Sequence, residues 1–263
     1  MSERLSRPER RSLQKQDAQL LGLPLAMGTD PRPVAAHIRH VIKLLRSPQA
    51  KSPCSDAIAH VTSVYDRSLP ASAQTMLACR KGCSHCCTQL VVVTAPEAFF
   101  VAAQIRKQPK TVAAVVEAAR DTGTLSLEER LRAKSMCPML DAAICSVYAA
   151  RPLGCHGFVS TNLNACLAAF ERLETPDIPM PQDNISVLYA CRMLLLAALR
   201  LAGLRDSTYE MNSALAAILT EDNAEPRWLT GEDILAGVKP AAPPPPQFED
   251  AIRKMAAFVS PTV

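Results

Sequence analysis

The sequence contains few aromatic residues and carries little net charge, and both shortages restrict what the protein can be. Aromatic residues make up only 4% of the 263 positions. Alanine and leucine are abundant instead, and small aliphatic side chains of this kind suit closely packed helices. The net charge is +4, and residues 1–15 alone carry +3 of it. Because the remainder is close to neutral, we expect no broad basic surface for binding nucleic acid.

Long apolar runs are also missing. The basic residues near the N-terminus are not followed by an apolar run, so they do not form a secretory signal. The longest apolar stretch, residues 191–204, is interrupted by Arg192 and Arg200. It is too short and too charged to span a bilayer and is typical of a buried helix. We therefore expect a soluble cytoplasmic protein without a membrane partner.

The pattern of apolar residues predicts a mostly α fold, a compact helical domain with an irregular cysteine-rich metal module and a short β segment. Residues 184–204 are apolar on nearly all sides and should form the central core helix. We divide the chain into a basic tail (1–30), N-terminal helices (31–78), a cysteine-rich metal-binding module (79–170), a helical core completing the same domain (171–239), and a proline-rich linker with a C-terminal helix (240–263).

Local signals mark where several helices begin. Thr94 and Glu97 form a predicted capping box directly after the β-prone run QLVVVT. Ser52 is a predicted helix cap because Pro53 follows it at the first helical position. Another helix is predicted to start within residues 207–210.

Ten cysteines are the most distinctive feature of the sequence. In a reducing compartment, this number favours metal binding or redox chemistry over structural disulfides. Cys54 and Cys191 lie on apolar helical faces, so we expect them to be buried core residues. The other cysteines fall into two groups: Cys79, Cys83, Cys86 and Cys87, then Cys137, Cys145, Cys155 and Cys166.

The first group, CRKGCSHCC at residues 79–87, has helical spacing. A continuous helix would spread its thiols over a stripe about 12 Å long, too long for one tetrahedral ion with metal–sulfur bonds of about 2.3 Å. Either a turn at Gly82 bends the segment around one ion, or the stripe serves two centres. Cys86 and Cys87 should point apart, which favours bridging or ligation of two ions. The basic residues that could offset the thiolate charge are Arg80, Lys81, Lys134 and Arg151.

Other polar and sulfur-containing side chains near the cysteines are weaker ligand candidates. His85 and His156 could supply nitrogen, although a solvated or supporting role is favoured. Asp141 could be a ligand, and a local cap is favoured. A redox relay through Cys83-x-x-Cys86 lacks the strand–motif–helix context of thioredoxins. The histidines assigned to structural roles are His37, His40 and His60, and the methionines assigned to core filling are Met76, Met136 and Met139.

The cysteine groups and the residues between them resemble the CxxCxxCC family of cysteine-cluster proteins, described as zinc- or iron-chelating. The family pattern contains Cys-x3-Cys-x2-Cys-Cys, a hydrophobic strand with T-x-x-E, then C-P-x-L and C-x-x-Y-x-x-R-P-x-x-C. The matching residues are Cys79, Cys83, Cys86, Cys87, Thr94, Glu97, Cys137, Pro138, Leu140, Cys145, Tyr148, Arg151, Pro152 and Cys155. The residue after the last motif cysteine is often Arg and is His156 here. The resemblance extends towards Cys166 and implies metal chelation without specifying the metal.

Three functions are compatible with these residues. The first is a zinc- or iron-binding protein with a closed structural or regulatory site, whose basic tail or C-terminal helix could contact a protein partner. The second is an iron–sulfur cluster protein with redox or enzymatic activity, since a similar cysteine arrangement occurs in flagellin lysine methylases. The third is storage or delivery of a soft metal such as copper(I). Because no Rossmann fingerprint, phosphate loop or His-Glu pair of a zinc hydrolase is present, the motifs do not identify an enzyme.

Overall fold

The computed structural model describes residues 32–126, 129, 132–172 and 177–259. The basic tail predicted for residues 1–30 lies outside these ranges. Within them, the chain forms eleven α-helices, which confirms the predicted mostly helical fold. They are α1 Arg32–Leu45, α2 Pro53–Ser68, α3 Ala71–Thr75, α4 Ala95–Ile105, α5 Pro109–Thr122, α6 Leu153–Gly157, α7 Leu163–Phe170, α8 Gln182–Leu201, α9 Met211–Leu219, α10 Ala224–Leu229 and α11 Pro246–Ala257.

Short strands and 3₁₀ helices lie around the cysteines. β1 (Val92–Thr94) pairs antiparallel with β4 (Thr208–Glu210), and β2 (Leu140–Asp141) pairs antiparallel with β3 (Ile144–Cys145). The 3₁₀ helices span His85–Thr88 and Tyr148–Ala150.

The segment at residues 207–210 differs from its prediction as a helix start. Thr208–Glu210 is extended because its backbone pairs with β1, which lies more than a hundred positions earlier in the sequence. The helix begins at Met211, and the Glu210 side chain caps it by accepting from the Ser213 amide at 2.8 Å. The helix therefore begins a few residues later than the sequence predicts.

The core is built around α8, as its apolar sequence predicts. This helix packs against α1, α2, α6 and α11. Among the described residues, α8 alone is long and apolar enough to cross a membrane. However, 61% of its apolar window is buried inside the protein, which is the environment of a core helix. Cys191 of α8 and Cys54 of α2 are 1% and 0% exposed, which fits the predicted core role of these two cysteines.

Two predicted helix caps, at the starts of α4 and α2, differ in whether the expected hydrogen bonds form. The capping box of α4 is confirmed, since the Thr94 side chain accepts from the Glu97 amide and the Glu97 side chain accepts from the Thr94 amide. Ser52 occupies the predicted N-cap position of α2 and Pro53 begins the helix, but the Ser52 side chain makes no capping bond. Glu225 takes that role from a distant part of the chain and accepts from the Cys54 amide at 2.8 Å.

The C-terminal helix α11 packs on the core helix. Ile252 and Met255 are 0% and 3% exposed, so the apolar face of α11 is covered by the chain itself. At the edge of this contact, Arg200 of α8 forms a forked ion pair with both carboxylate oxygens of Glu249. A partner that used α11 would therefore have to contact its polar face.

Candidate metal centre

The first cysteine group forms a turn followed by a short 3₁₀ helix rather than a continuous helix. Gly82 has a φ of +86°, a left-handed conformation that glycine adopts readily. The Cys83 amide donates to the Arg80 carbonyl at 3.0 Å, which closes this turn. The prediction of a helical stripe is thus wrong, and the alternative prediction of a bend at Gly82 is correct.

The second cysteine group reaches the first through the backbone. The Cys137 amide donates to the Cys87 carbonyl at 2.9 Å. The β2–β3 hairpin that follows carries Cys145, and Leu140 lies opposite it in the register. Its turn residues, Ala142 and Ala143, have φ values of +45° and +64°. Alanine rarely adopts such angles, so surrounding contacts rather than turn propensity shape this hairpin.

Glu97 positions the third cysteine-bearing segment. Its carboxylate is only 4% exposed. One oxygen, Oε2, accepts from the amide and hydroxyl of Thr94, both at 2.8 Å. The other, Oε1, accepts from the Leu153 amide at 2.9 Å, and this amide is at the start of α6. One buried carboxylate therefore caps two helices and fixes the segment that contains Cys155.

Cys79 and Cys166 approach the first group from its other side. The Ala78 amide donates to the Ser160 carbonyl at 2.8 Å, and the Ser160 amide donates to the Cys79 sulfur at 3.4 Å. Asn162 caps α7 by accepting from the Ala165 amide, and α7 then packs against the His85–Thr88 helix. These contacts bring the buried Cys166 thiol towards Cys83 and Cys86.

A cavity of about 100 Å³ lies where these segments meet. The basic side chains beside it are Arg80, Lys81 and Arg151. The predicted fourth cation, Lys134, instead donates to the Glu171 carbonyl. Six cysteines line the cavity: Cys83, Cys86, Cys87, Cys137, Cys145 and Cys155.

The electrostatic influence of the thiols on one another shows which of them are neighbours. Burial raises the pKa of Cys79, and so do the nearby Cys83, Cys86 and Cys166. Burial also raises the pKa of Cys166, with further contributions from Cys86 and Cys83. Metal binding would oppose these shifts, because an ion stabilises the thiolate form.

On the cavity side, Cys155 and the adjacent residues Cys86 and Cys87 belong to a second group of interacting thiols. Burial raises the pKa of Cys155, and the nearby Cys137, Cys86 and Cys145 raise it further. The pKa of Cys86 is raised first by a hydrogen bond with the Cys87 thiol and then by burial. This shift indicates that the 3₁₀ turn holds the adjacent thiols near each other, which does not support the prediction that they point apart.

The remaining ligand candidates lie beside the site and have other partners. His85 Nδ1 is 2.6 Å from Glu171 Oε1, and His156 Nε2 is 2.8 Å from Asp66 Oδ1. Asp141 lies in β2 opposite Ile144 and caps no helix. Of the methionines, Met139 is buried beside the cavity, whereas Met76 and Met136 are 64% and 51% exposed and do not fill a core.

The donor set fits a thiophilic ion, although its side chains are not yet gathered around one point. All ten cysteines are in the described residues and are thiols rather than disulfides. Within that part of the chain, no three Cys, His, Asp or Glu side chains are already arranged to hold a metal ion. Binding would therefore require the cysteine side chains to turn inward, towards a cavity that several of them already line.

Sequence reasoning missed two contributors to this arrangement. The T-x-x-E motif predicted the capping role of Glu97. The hydrogen bond between Glu97 and the Leu153 amide could not be predicted, because these residues are 56 positions apart. Ser160, which holds the Cys79 segment, belongs to no motif recognised in the sequence. Its burial to 1% exposure depends on the folded chain and has no local signal in the sequence.

Comparison with known proteins agrees with the motif analysis. No curated protein and no solved structure matches the chain at a significant level. Residues 78–174 match the model of the CxxCxxCC family, whose description is "Putative zinc- or iron-chelating domain". All eight cysteines of the two groups fall inside this range, which supports metal binding in general. The predicted resemblance is therefore confirmed, and residues 78–174 are similar to the CxxCxxCC domains.

Proposed function

We propose that this protein chelates zinc or iron through the eight cysteines between residues 79 and 166. The observation that carries the proposal is the convergence of thiols from separate stretches of chain. Six of them line one cavity, and the other two, Cys79 and Cys166, lie beside Cys83 and Cys86. Thiolate-rich ligand sets of this kind suit zinc and iron.

The proposed ligands divide into two sets of four, the number that a closed tetrahedral thiolate site uses. The pKa shifts of Cys79 and Cys166 link these thiols to Cys83 and Cys86, and the shift of Cys155 indicates that Cys86 also lies near the second set. The two sets adjoin at the contact between Cys86 and Cys87. The first set is Cys79, Cys83, Cys86 and Cys166, and the second is Cys87, Cys137, Cys145 and Cys155.

The charges around the cavity support binding of thiolates rather than thiols. Four thiolates around one divalent ion leave a net charge of −2 at each site. Arg80, Lys81 and Arg151 line the same cavity and would offset part of this charge. These cations also favour deprotonation of the thiols, a step that metal binding requires.

We assign the bound ions a structural or regulatory role. The cysteine-bearing segments contain mostly turns, two-residue strands and short helices, so crosslinks through an ion would stabilise them more than backbone hydrogen bonding does. A reducing compartment such as the cytoplasm, which keeps thiols available for metals, is part of this proposal.

A second candidate is an iron–sulfur cluster, for which the cavity has room. About 100 Å³ between the cysteines exceeds the space that one ion needs, since a water molecule occupies about 30 Å³ of liquid. Cysteine-only ligation is also what such clusters use. In this version, the cluster would supply electron transfer or another redox reaction.

Element and sulfide analysis of the full-length protein, purified without oxygen, tests these functions. We expect two zinc or iron ions per chain and no acid-labile sulfide. Cys166→Ala should remove one ion through the first set, and Cys145→Ala should remove one through the second. Cys191→Ala is the matched control, because this cysteine is buried in α8 and is absent from the cavity lining.

Other results would decide against parts of this proposal. Brown protein with sulfide would favour the iron–sulfur cluster. A single ion that both substitutions remove would contradict the division into two sets. Absence of metal together with paired disulfides would contradict chelation altogether.

A further inference from the structure

Three of the five histidines meet outside the two cysteine groups, at the contact between α1 and α2. His37 Nδ1 of α1 lies 3.2 Å from His60 Nε2 of α2. The His40 ring, one turn further along α1, has its centroid 4.4 Å from that of His60. We predicted structural roles for these residues because each occurs in a helical pattern. Their proximity could not be predicted, because it depends on how the two helices pack.

The separation of the two ring nitrogens suits a shared ion. Zinc–nitrogen bonds are about 2.0–2.1 Å long, so two imidazole nitrogens at a tetrahedral ion lie about 3.3 Å apart. The observed 3.2 Å matches this value. The same distance also allows one ring to donate a hydrogen bond to the other. In the metal-free protein, this hydrogen bond would hold the two rings together. Binding of an ion would require the donor ring to change tautomer, so that its proton moves to its other ring nitrogen and both facing nitrogens offer lone pairs.

Packing fixes one histidine and leaves another accessible. His37 is 8% exposed, so the contact between α1 and α2 restricts its ring. His40 is exposed and offers an ion a path from solvent. Because no three ligating side chains in the described residues are already arranged around an ion, His40 has to turn about its side-chain bonds to complete the set.

The surroundings of the third imidazole disfavour its protonated form. Partial burial against the His60 ring lowers the pKa of His40, and the nearby His37 and Lys43 lower it further. Neutral imidazole is the form that binds metal ions. Lys43 also repels cations, which limits the affinity of an ion for this place.

We propose that His37, His40 and His60 form an imidazole site for a divalent transition-metal ion, separate from the cysteines. Imidazole ligands suit zinc, nickel and copper, whereas thiolates select softer partners. The His37–His60 pair supplies two ligands at the observed spacing, and His40 adds the third. This site does not depend on the function proposed for the cysteines.

Calorimetric titration of nickel(II) into the full-length protein, with its cysteines first loaded with zinc, tests the proposal. We expect one nickel ion per chain, and His40→Gln and His60→Gln should each weaken its binding at least about tenfold. His85→Gln is the matched control, since it removes an imidazole outside the three. Thermal unfolding without nickel checks the fold of each variant. If His60→Gln unfolds, the nickel affinity of His40→Gln alone tests the site, because His40 is exposed and its substitution should leave the fold intact.

The results separate this site from the cysteine site. Absence of saturable nickel binding, or equal nickel affinity in the unsubstituted protein and all three variants, would overturn the histidine site. The zinc content, measured on the same preparations, reports on the cysteine site independently.

Discussion

At the scale of single residues, Glu97 determines where Cys155 lies. Its two carboxylate oxygens accept three hydrogen bonds, from the amide and hydroxyl of Thr94 and from the amide of Leu153. A glutamine at position 97 would turn its NH₂ group, which is itself a donor, towards at least one of these three donors. Because the group is buried, water cannot replace the lost bond.

We predict that Glu97→Gln destabilises the protein by about 1–3 kcal/mol, the usual cost of leaving a buried donor without a partner. It should also lower the metal content when zinc is limiting, because the helix that carries Cys155 loses its anchor. Chemical denaturation and element analysis measure the two effects.

Glu129→Gln provides the control for this substitution. Glu129 forms a similar box with Ser126, but it is exposed. Its substitution should have the smaller effect on stability and leave the metal content unchanged. An equal effect of the two substitutions would mean that Glu97 acts only as an ordinary helix cap.

At the scale of elements, the short helix α6 is held between the cysteine cavity and the core helix α8. Two of its five residues are glycines with different surroundings. A Cβ at Gly157 would lie 2.8 Å from Leu188 Cδ1 of α8, whereas a Cβ at Gly154 would have no atom closer than 3.9 Å. Gly157 therefore permits the close approach of α6 to α8.

We predict that Gly157→Ala costs about 1–3 kcal/mol through overpacking and weakens zinc binding, because α6 and Cys155 shift away from the core. Gly154→Ala should be neutral or slightly stabilising, since alanine favours the helix and fits the available space. Urea denaturation and zinc competition with a chelator measure both variants. Equal zinc affinities of the two variants would show that Leu188 turns aside and α6 does not move.

The elements also show which kinds of information the sequence holds. α8 and the start of α4 follow from local patterns, apolar periodicity in one case and a capping box in the other. The Glu225 cap of α2 and the β1–β4 pairing join residues far apart in the chain. No local pattern specifies such partners, so a serine and a helix start were predicted in their place.

At the scale of the whole molecule, a well-packed helical core supports a cysteine module with little regular structure. The core extends from α1 to α11 and includes half of the residues of α8. The cysteine module depends on turns and on contacts between distant segments. The motifs located this module in the sequence, but its internal grouping of thiols required the fold, since Cys166 reaches Cys83 only through the packing of α7.

We predict that removing metal loosens the module without unfolding the core. After treatment of the metal-loaded protein with a zinc chelator, amide hydrogen exchange should accelerate in residues 79–90 and 136–160 and stay slow in residues 187–199 of α8. The physical reason is that the core is held by apolar burial, which a chelator does not affect.

A chelator already saturated with zinc is the control for this measurement and should leave all exchange rates unchanged. Simultaneous loss of protection in α8 would mean that metal and core form one cooperative unit. Unchanged exchange in the module, despite complete metal removal, would mean that the protein alone holds these segments.

The contact between Cys86 and Cys87 has a consequence for how the two proposed thiol sets would fill. These residues share one peptide unit in the same 3₁₀ turn. An ion held by one of them would restrict the backbone of the other, so the second ion would meet ligands that have already lost part of their conformational freedom. Occupancy would then be cooperative, and singly loaded chains would be scarce at intermediate metal concentrations.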